Sequence, residues 1–212
     1  MRSETQNITV ARSPRRCGCR VRLCRSWLWP GIALLGAIAA GATVPAPARA
    51  AADKPSLDDV EAAYLYNFGK FVRWPVNANT GPLLICVAGK PPFEEAVGRL
   101  VAGERIGDRP LEVRTLDRPQ AVPGCSILFV GAAERLRLDG FLAAADGKPI
   151  LTVGDFADFL SRGGMIQFVY QEDHVRFSVN LNAANRSALG LSSELLKVAV
   201  SVAGGPGNGG SR

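Results

Sequence analysis

Residues 124–130, GCSILFV, followed by 131–145, GAAERLRLDGFLAAA, and then by 150–153, ILTV, decide the fold class. Ser126 to Val130 is an unbroken apolar run too short for a helix, which suits a strand covered on both faces. Ala132 to Ala145 carries alanine and leucine at helical spacing, and Ile150 to Val153 is a second short apolar run. Strand, helix, strand in succession predicts a sheet with helices packed on its faces.

Working outward, the alternation persists. Leu83 to Ala88 reads as a strand, Gly89-Lys90-Pro91-Pro92 as a turn, and Phe93 to Val101 as a short helix. Leu111 to Leu116 alternates apolar and polar, as a half-exposed strand does. After Val153, Asp155 is placed to cap a short helix carrying Phe156, Phe159 and Leu160. Ile166, Phe168 and Tyr170, then Val175, Phe177 and Val179, alternate across a turn at Gln171 to His174 and predict an antiparallel hairpin. Asn180 opens a helical stretch broken at Gly190, and Ser192 can cap a last helix with Leu195, Leu196 and Val200. At the other end, Ser56 can cap a helix whose first turn holds Asp58, Asp59 and Glu61. Val60, Tyr64, Phe68 and Phe71 share one face of it, and Trp74-Pro75 ends it. The expected fold is α/β: a single compact domain over residues 56–203, with a mixed β-sheet flanked by helices on both faces and an antiparallel hairpin near the C-terminus.

The formal charge of +6 is misleading, because residues 1–50 hold eight arginines against the single acid Glu4. From residue 51 onward 17 basic and 18 acidic side chains nearly cancel, so the domain lacks the basic surface a nucleic-acid partner requires. The leader has an arginine-rich start, an apolar stretch from Trp27 to Val44, and Ala48-Arg49-Ala50 as small residues at a cleavage site. It reads as a signal peptide, 1–50, removed on export to the periplasm, with a retained membrane anchor as the alternative. Residues 204–212 form a Gly-rich tail with nothing to bury and are expected to be disordered.

Cleavage removes Cys17, Cys19 and Cys24 and leaves Cys86 and Cys125. An even count in an oxidising compartment reads as a disulfide, and two separate buried thiols are the other reading. Catalytic groups are scarce. The one histidine, His174, falls in the hairpin turn, and no zinc-hydrolase, serine-hydrolase or phosphate-loop spacing occurs. No metal ligand set, cofactor site or enzymatic activity is expected. Gly163-Gly164 could cradle an anion, yet a tight turn into the next strand requires the same glycines. The carboxylate pairs, Asp155 with Asp158 among them, are read as caps and solvated turns.

The first helix is unusual, since Tyr64, Tyr66, Phe68, Phe71 and Trp74 place five aromatics in eleven positions beside Lys70 and Arg73. They cannot all face one core. Either Tyr66 and Trp74 cover a sheet edge, or Tyr66, Lys70, Arg73 and Trp74 form a surface that binds a partner.

The stretch 62–75, AAYLYNFGKFVRWP, resembles the opening of the YfiR family of periplasmic regulators. Tyr64, Asn67, Phe68, Phe71 and Pro75 carry that likeness, together with Gly163, Gly164, Met165, Ile166, Phe168 and Asn180 further along. The resemblance spans roughly Val60 to Leu196. It implies an α/β domain, often a homodimer, that acts by binding, without catalysis or cofactor. It also implies that Cys86 and Cys125 join two strands of one sheet. The partner implied is an inner-membrane signalling protein, a diguanylate cyclase or a sensor kinase, with an outer-membrane lipoprotein that removes the repressor. Cyclic di-GMP and biofilm formation would fall as a result. The chain departs from some relatives in lacking a second cysteine pair after Cys125, so the resemblance gives no support to redox switching. A periplasmic small-ligand module reporting to a sensor kinase or receptor is the alternative function.

Overall fold

Ser56 begins the first helix as expected: its hydroxyl accepts from the Asp59 backbone N–H at 3.1 Å, while the Asp59 carboxylate takes the Ser56 N–H. This reciprocal pair satisfies two of the free donors of a helix start. The helix belongs to a computed structural model that describes residues 54–76, 78 and 81–204. The predicted signal peptide lies outside the described residues, as does the Gly-rich tail beyond Gly204.

Helix α1 spans Leu57–Phe71, shorter than its Trp74-Pro75 boundary predicted, because Val72–Arg73 (β1) turns to pair antiparallel with Gly190–Leu191 (β9). Strand β2, Leu83–Ala88, leads through helix α2, Pro91–Val101, and the short strand β3, Arg105–Ile106, to β4, Arg109–Leu116. Then come β5, Ile127–Val130, and helix α3, Leu138–Ala145. The single helix expected from Ala132 begins as a 3-10 helix through Arg137 and becomes α-helical only from Leu138. Strand β6 is Leu151–Gly154. The helix expected after Asp155 is instead a series of turns ending at Gly163, whose φ of 104° permits the reversal into β7, Ile166–Gln171. Strand β8, His174–Asn180, returns antiparallel, with Glu172 and Asp173 both at positive φ as a two-residue hairpin turn requires. The chain closes with α4 (Leu181–Arg186), α5 (Ser193–Val198) and an unexpected strand β10 (Ser201–Ala203), parallel to β8. Val200, assigned to the last helix, falls in the link between α5 and β10.

The eight-stranded sheet has the order β10-β8-β7-β6-β5-β2-β4-β3. Its parallel portion, β4-β2-β5-β6-β7, is the doubly wound order 2-1-3-4-5, whose direction of winding reverses at β2. Strands β2 and β5 are buried at every residue. On one face Ile85, Val87, Phe129, Phe168 and Phe177 pack with Leu65 and Phe68 of α1 and Phe93 of α2. Leu84, Cys86, Leu128 and Val130 point the other way, against Leu138 and Phe141 of α3. Helices therefore cover both faces, and the sequence-derived fold class holds.

Cys86 and Cys125 are bonded, with Cα atoms 5.9 Å apart. Cys86 sits in β2, whereas Cys125 lies two residues ahead of β5, so the link joins a strand to the lead-in of its neighbour and not two strands. The backbone N–H of Ser126 donates to Leu84 O at 2.8 Å just beyond it.

Candidate functional site

The aromatic end of α1 divides its residues between packing and exposure. The Tyr66 hydroxyl donates to the Glu104 carboxylate at 2.7 Å, and the Lys70 ammonium lies 4.0 Å from the centre of its ring. Trp74 is partly buried against the α1 side of the core, and its indole Nε1 has no acceptor among the described residues. Phe71, predicted to share the buried face, is 40 % exposed, because the helix ends there and its carbonyl accepts from Ser192 of the β9 segment at 3.0 Å. Lys70 and Arg73 are also exposed, and among the described residues neither has a carboxylate within ion-pair distance. Lys70, Phe71 and Arg73 face Ser192, Ser193 and Glu194 across a hollow of about 390 Å³. Two exposed cations beside an apolar ring, Lys70 over Tyr66 and Arg73 partly offset by Glu194, suit an acidic segment that carries an apolar anchor.

The other motif residues are placed as packing and turn elements. Tyr64 and Phe68 meet Phe168 and Phe177 edge-on or stacked, with Phe68 and Phe177 ring centres 4.9 Å apart. Asn67 is exposed and Pro75 half-buried. The Gly163 and Gly164 N–H groups donate to Leu160 and Phe159 carbonyls, so neither is free to hold an anion. A Cβ on Gly164 would stand 2.1 Å from the Phe159 ring. Met165 donates its N–H to Thr152 Oγ1 at 3.1 Å, Ile166 is buried, and Asn180 caps α4 by accepting from the Ala183 N–H at 3.1 Å.

A second site was not foreseen from the sequence. It lies where β2, β5 and β6 end, on the carboxyl side of the parallel sheet beside the point where the winding reverses, which is where doubly wound folds bind ligands. Gly89, with φ of 76°, turns the chain out of β2 so that Lys90 stands at the start of α2. Its ammonium contacts Glu61 at 2.5 Å, Asp58 at 3.1 Å and Asp155 at 3.3 Å. Glu61 has no exposed surface, and its second oxygen accepts from the Tyr170 hydroxyl of β7. Asp155, assigned above to a cap, turns inward instead: its side chain is 8 % exposed and its Oδ1 has no partner among the described residues. Three carboxylates surround one cation.

The electrostatics follow from burial and proximity. Burial raises Glu61 above the ordinary carboxylate range, and the Lys90 and Tyr170 hydrogen bonds only partly offset that. Burial also works against the Lys90 charge, but Glu61, Asp58 and Asp155 outweigh it and hold the ammonium above its usual value. The Tyr170 hydroxyl is raised by burial and by the anion it donates to. No feature of α1 read alone reveals Glu61, since its partners come from residues 90, 155 and 170.

A family model described as YfiR/HmsC-like matches residues 58–200. Among solved structures, a conserved domain protein from Vibrio cholerae O1 biovar El Tor is 12 % identical, with a TM-score of 0.50 over 69 % of this chain and 60 % of that one. An ABC domain in complex with L-Trp from Streptococcus pneumoniae is 8 % identical, with a TM-score of 0.47 over 66 % of this chain and 60 % of that one. The chain thus spans about 60 % of the length of each of these structures, and at 12 % identity the Vibrio structure supports the α/β fold alone.

Proposed function

Because the chain belongs to the YfiR/HmsC-like family, we propose that it is an exported periplasmic regulator that binds the periplasmic part of an inner-membrane signalling protein and holds it inactive. The family match is the observation that carries this reading, for it runs from the first turn of α1 to the link before β10. A diguanylate cyclase is the first partner class, so the protein would lower cyclic di-GMP and biofilm formation. A sensor kinase is the second. Residues 1–50 would serve as the cleaved export signal, and an outer-membrane lipoprotein would relieve the repression. The protein would need no catalysis or cofactor.

A binding repressor works only through differential affinity. To move a sensor from mostly active to mostly inactive, it must bind the inactive state roughly 10⁴-fold more tightly. The Lys70, Phe71 and Arg73 surface supports this reading as the contact, since it offers an apolar anchor and two exposed cations without disturbing the core.

The test is capture of the mature protein with its bound partners from envelope extracts, beside cyclic di-GMP measurement after deletion of its gene. Recovery of a membrane cyclase, with a rise in cyclic di-GMP on deletion, is expected. K70E/R73E should fold normally and lose the partner. Recovery of a sensor kinase with unchanged cyclic di-GMP would select the second class. Repeated recovery of no membrane signalling protein would refute the proposal.

A further inference from the structure

A cavity of about 250 Å³ opens between the end of α3, strand β6, the turn at Gly163 and the end of α4. It shares no lining residue with the Lys70, Phe71 and Arg73 hollow. We propose that it binds a compact carboxylate that carries a hydrogen-bond donor a few atoms away, as amino acids and hydroxy acids do. Arg186 and Ser187 take the carboxylate, and Asp146 takes the donor.

Polar groups left without partners carry the argument. Ser187 lines the cavity and is only 7 % exposed, yet its hydroxyl makes no hydrogen bond among the described residues. A buried hydroxyl in that state costs stability, and native proteins leave few of them so. Thr152 is buried beside it and accepts from the Met165 N–H at 3.1 Å, but its own proton has no acceptor among the described residues. Arg186, at the end of α4, and Asp146, just past α3, are exposed on the rim. Among the described residues neither has an opposite charge within ion-pair distance. The other cation of the lining, Arg162, is already engaged: it donates to the Asp139 carboxylate and the Arg135 carbonyl, with Asp158 at 3.8 Å. Its charge is matched, so Arg186 is the cation left to attract an anion.

These groups define the ligand. A guanidinium presents a planar fork of donors that fits both oxygens of a carboxylate. The Ser187 and Thr152 hydroxyls, which donate as readily as they accept, extend that grip from the buried side. A bare anion would meet the Asp146 carboxylate on the same rim, and like charges there oppose binding. A ligand with an ammonium or hydroxyl near its carboxylate turns that opposition into a hydrogen bond. Met165 supplies an apolar wall. The volume lies below the roughly 300–1,000 Å³ of pockets for drug-sized molecules, which restricts the ligand to a few heavy atoms.

The test is titration of the isolated mature protein with L-alanine, L-lactate, propionate and inorganic phosphate, read from the amide resonances of Asp146, Thr152 and Ser187 by NMR. It needs no membrane partner, so its failure would leave the proposed function standing. L-alanine or L-lactate should give saturable shifts, and propionate, which lacks the donor, should bind about tenfold more weakly. Arg186→Gln and Ser187→Ala should each weaken binding about tenfold or more, the worth of one hydrogen bond to a charged group. Asp146→Asn should weaken L-alanine by a similar factor and leave L-lactate nearly unchanged, which separates an ammonium ligand from a hydroxyl one. Without any probe, Ser187→Ala should unfold at no lower urea concentration than the wild type, because it removes a hydroxyl that has no partner. A lowered urea midpoint in Ser187→Ala would show that the hydroxyl serves the fold and would overturn the site. So would the absence of saturable shifts in millimolar L-alanine and L-lactate, propionate binding as tightly as both, or binding of phosphate alone.

Discussion

Replacing both Cys86 and Cys125 by alanine should cost the domain a large part of its stability without changing its fold. The bond closes a sequence separation of 39 residues, and both side chains are buried on the α3 side of the sheet. In the loop-entropy treatment a loop of that size is worth about 4 kcal/mol at 25 °C. Domains of this size have roughly 5–15 kcal/mol in all, so the variant should remain folded at room temperature with a narrow margin. At about 2–4 °C per kcal/mol for a chain of this length, Tm should fall by roughly 8–16 °C. Urea denaturation of the oxidised protein, the same protein with reductant, and the double-alanine variant gives the comparison directly. The last two should coincide. A loss below about 1 kcal/mol would refute the loop argument, and a mass unchanged by reduction would show two free thiols and remove its premise.

Phe68→Ala empties the place where Tyr64, Phe168 and Phe177 converge, and should cost about 3–5 kcal/mol by urea denaturation. Gly164→Ala should destabilise because its new methyl meets the Phe159 ring, and Phe159→Leu in the same chain should recover part of the loss. Lys90→Met leaves Glu61 and Asp155 without their cation and should cost about 3–5 kcal/mol near pH 7, with partial recovery on acidification. In the wild type, Glu61 is raised in the folded state, so folding favours its protonated form. Its contribution is therefore fullest at acid pH and is lost as pH rises through the folded value, and Glu61→Gln should flatten that segment of the stability curve.

Elements set by local pattern were legible in the sequence, and elements set by distant partners were not. Strands β2, β5 and β6 announce themselves as apolar runs, and the β7–β8 hairpin as alternation across two turn residues. Strand β10 has only three residues and owes its extended form to pairing with Ser178, Val179 and Asn180. The same holds for β1, which continues the apparent period of α1 but is drawn away by Leu191 and Gly190. That capture explains Phe71: helical spacing places it inward, and the end of the helix leaves it in solvent. The segment after Asp155 has helix-like spacing, yet it must deliver Phe156 and Phe159 to the α3 side before Gly163 reverses the chain. Of the proposed contact residues, the spacing of aromatics and cations marked the end of α1 but could not separate the exposed Lys70 and Arg73 from the partly buried Tyr66 and Trp74. That division depends on Glu104 and on the α1-side core. Glu61 was hidden because an acid early in a helix reads as dipole compensation, and only the folded chain brings Lys90 and Tyr170 to it.

Strand β2 sends Ile85 and Val87 to one core and Leu84, Cys86 and Ala88 to the other. Neither half can melt while the other keeps this strand in place, so the two layers should behave as one cooperative unit. Subglobal opening, if it occurs, should be confined to the margins, at β3, the β7–β8 turn and β10, where a strand has only one neighbour or ends in a turn. Interior amides of β2 and β5 should then exchange only through complete unfolding, giving a single opening free energy on both sides of the sheet. A disturbance of packing beneath α3 would consequently be felt beneath α1, by loss of shared support and without any dedicated chain of contacts between them.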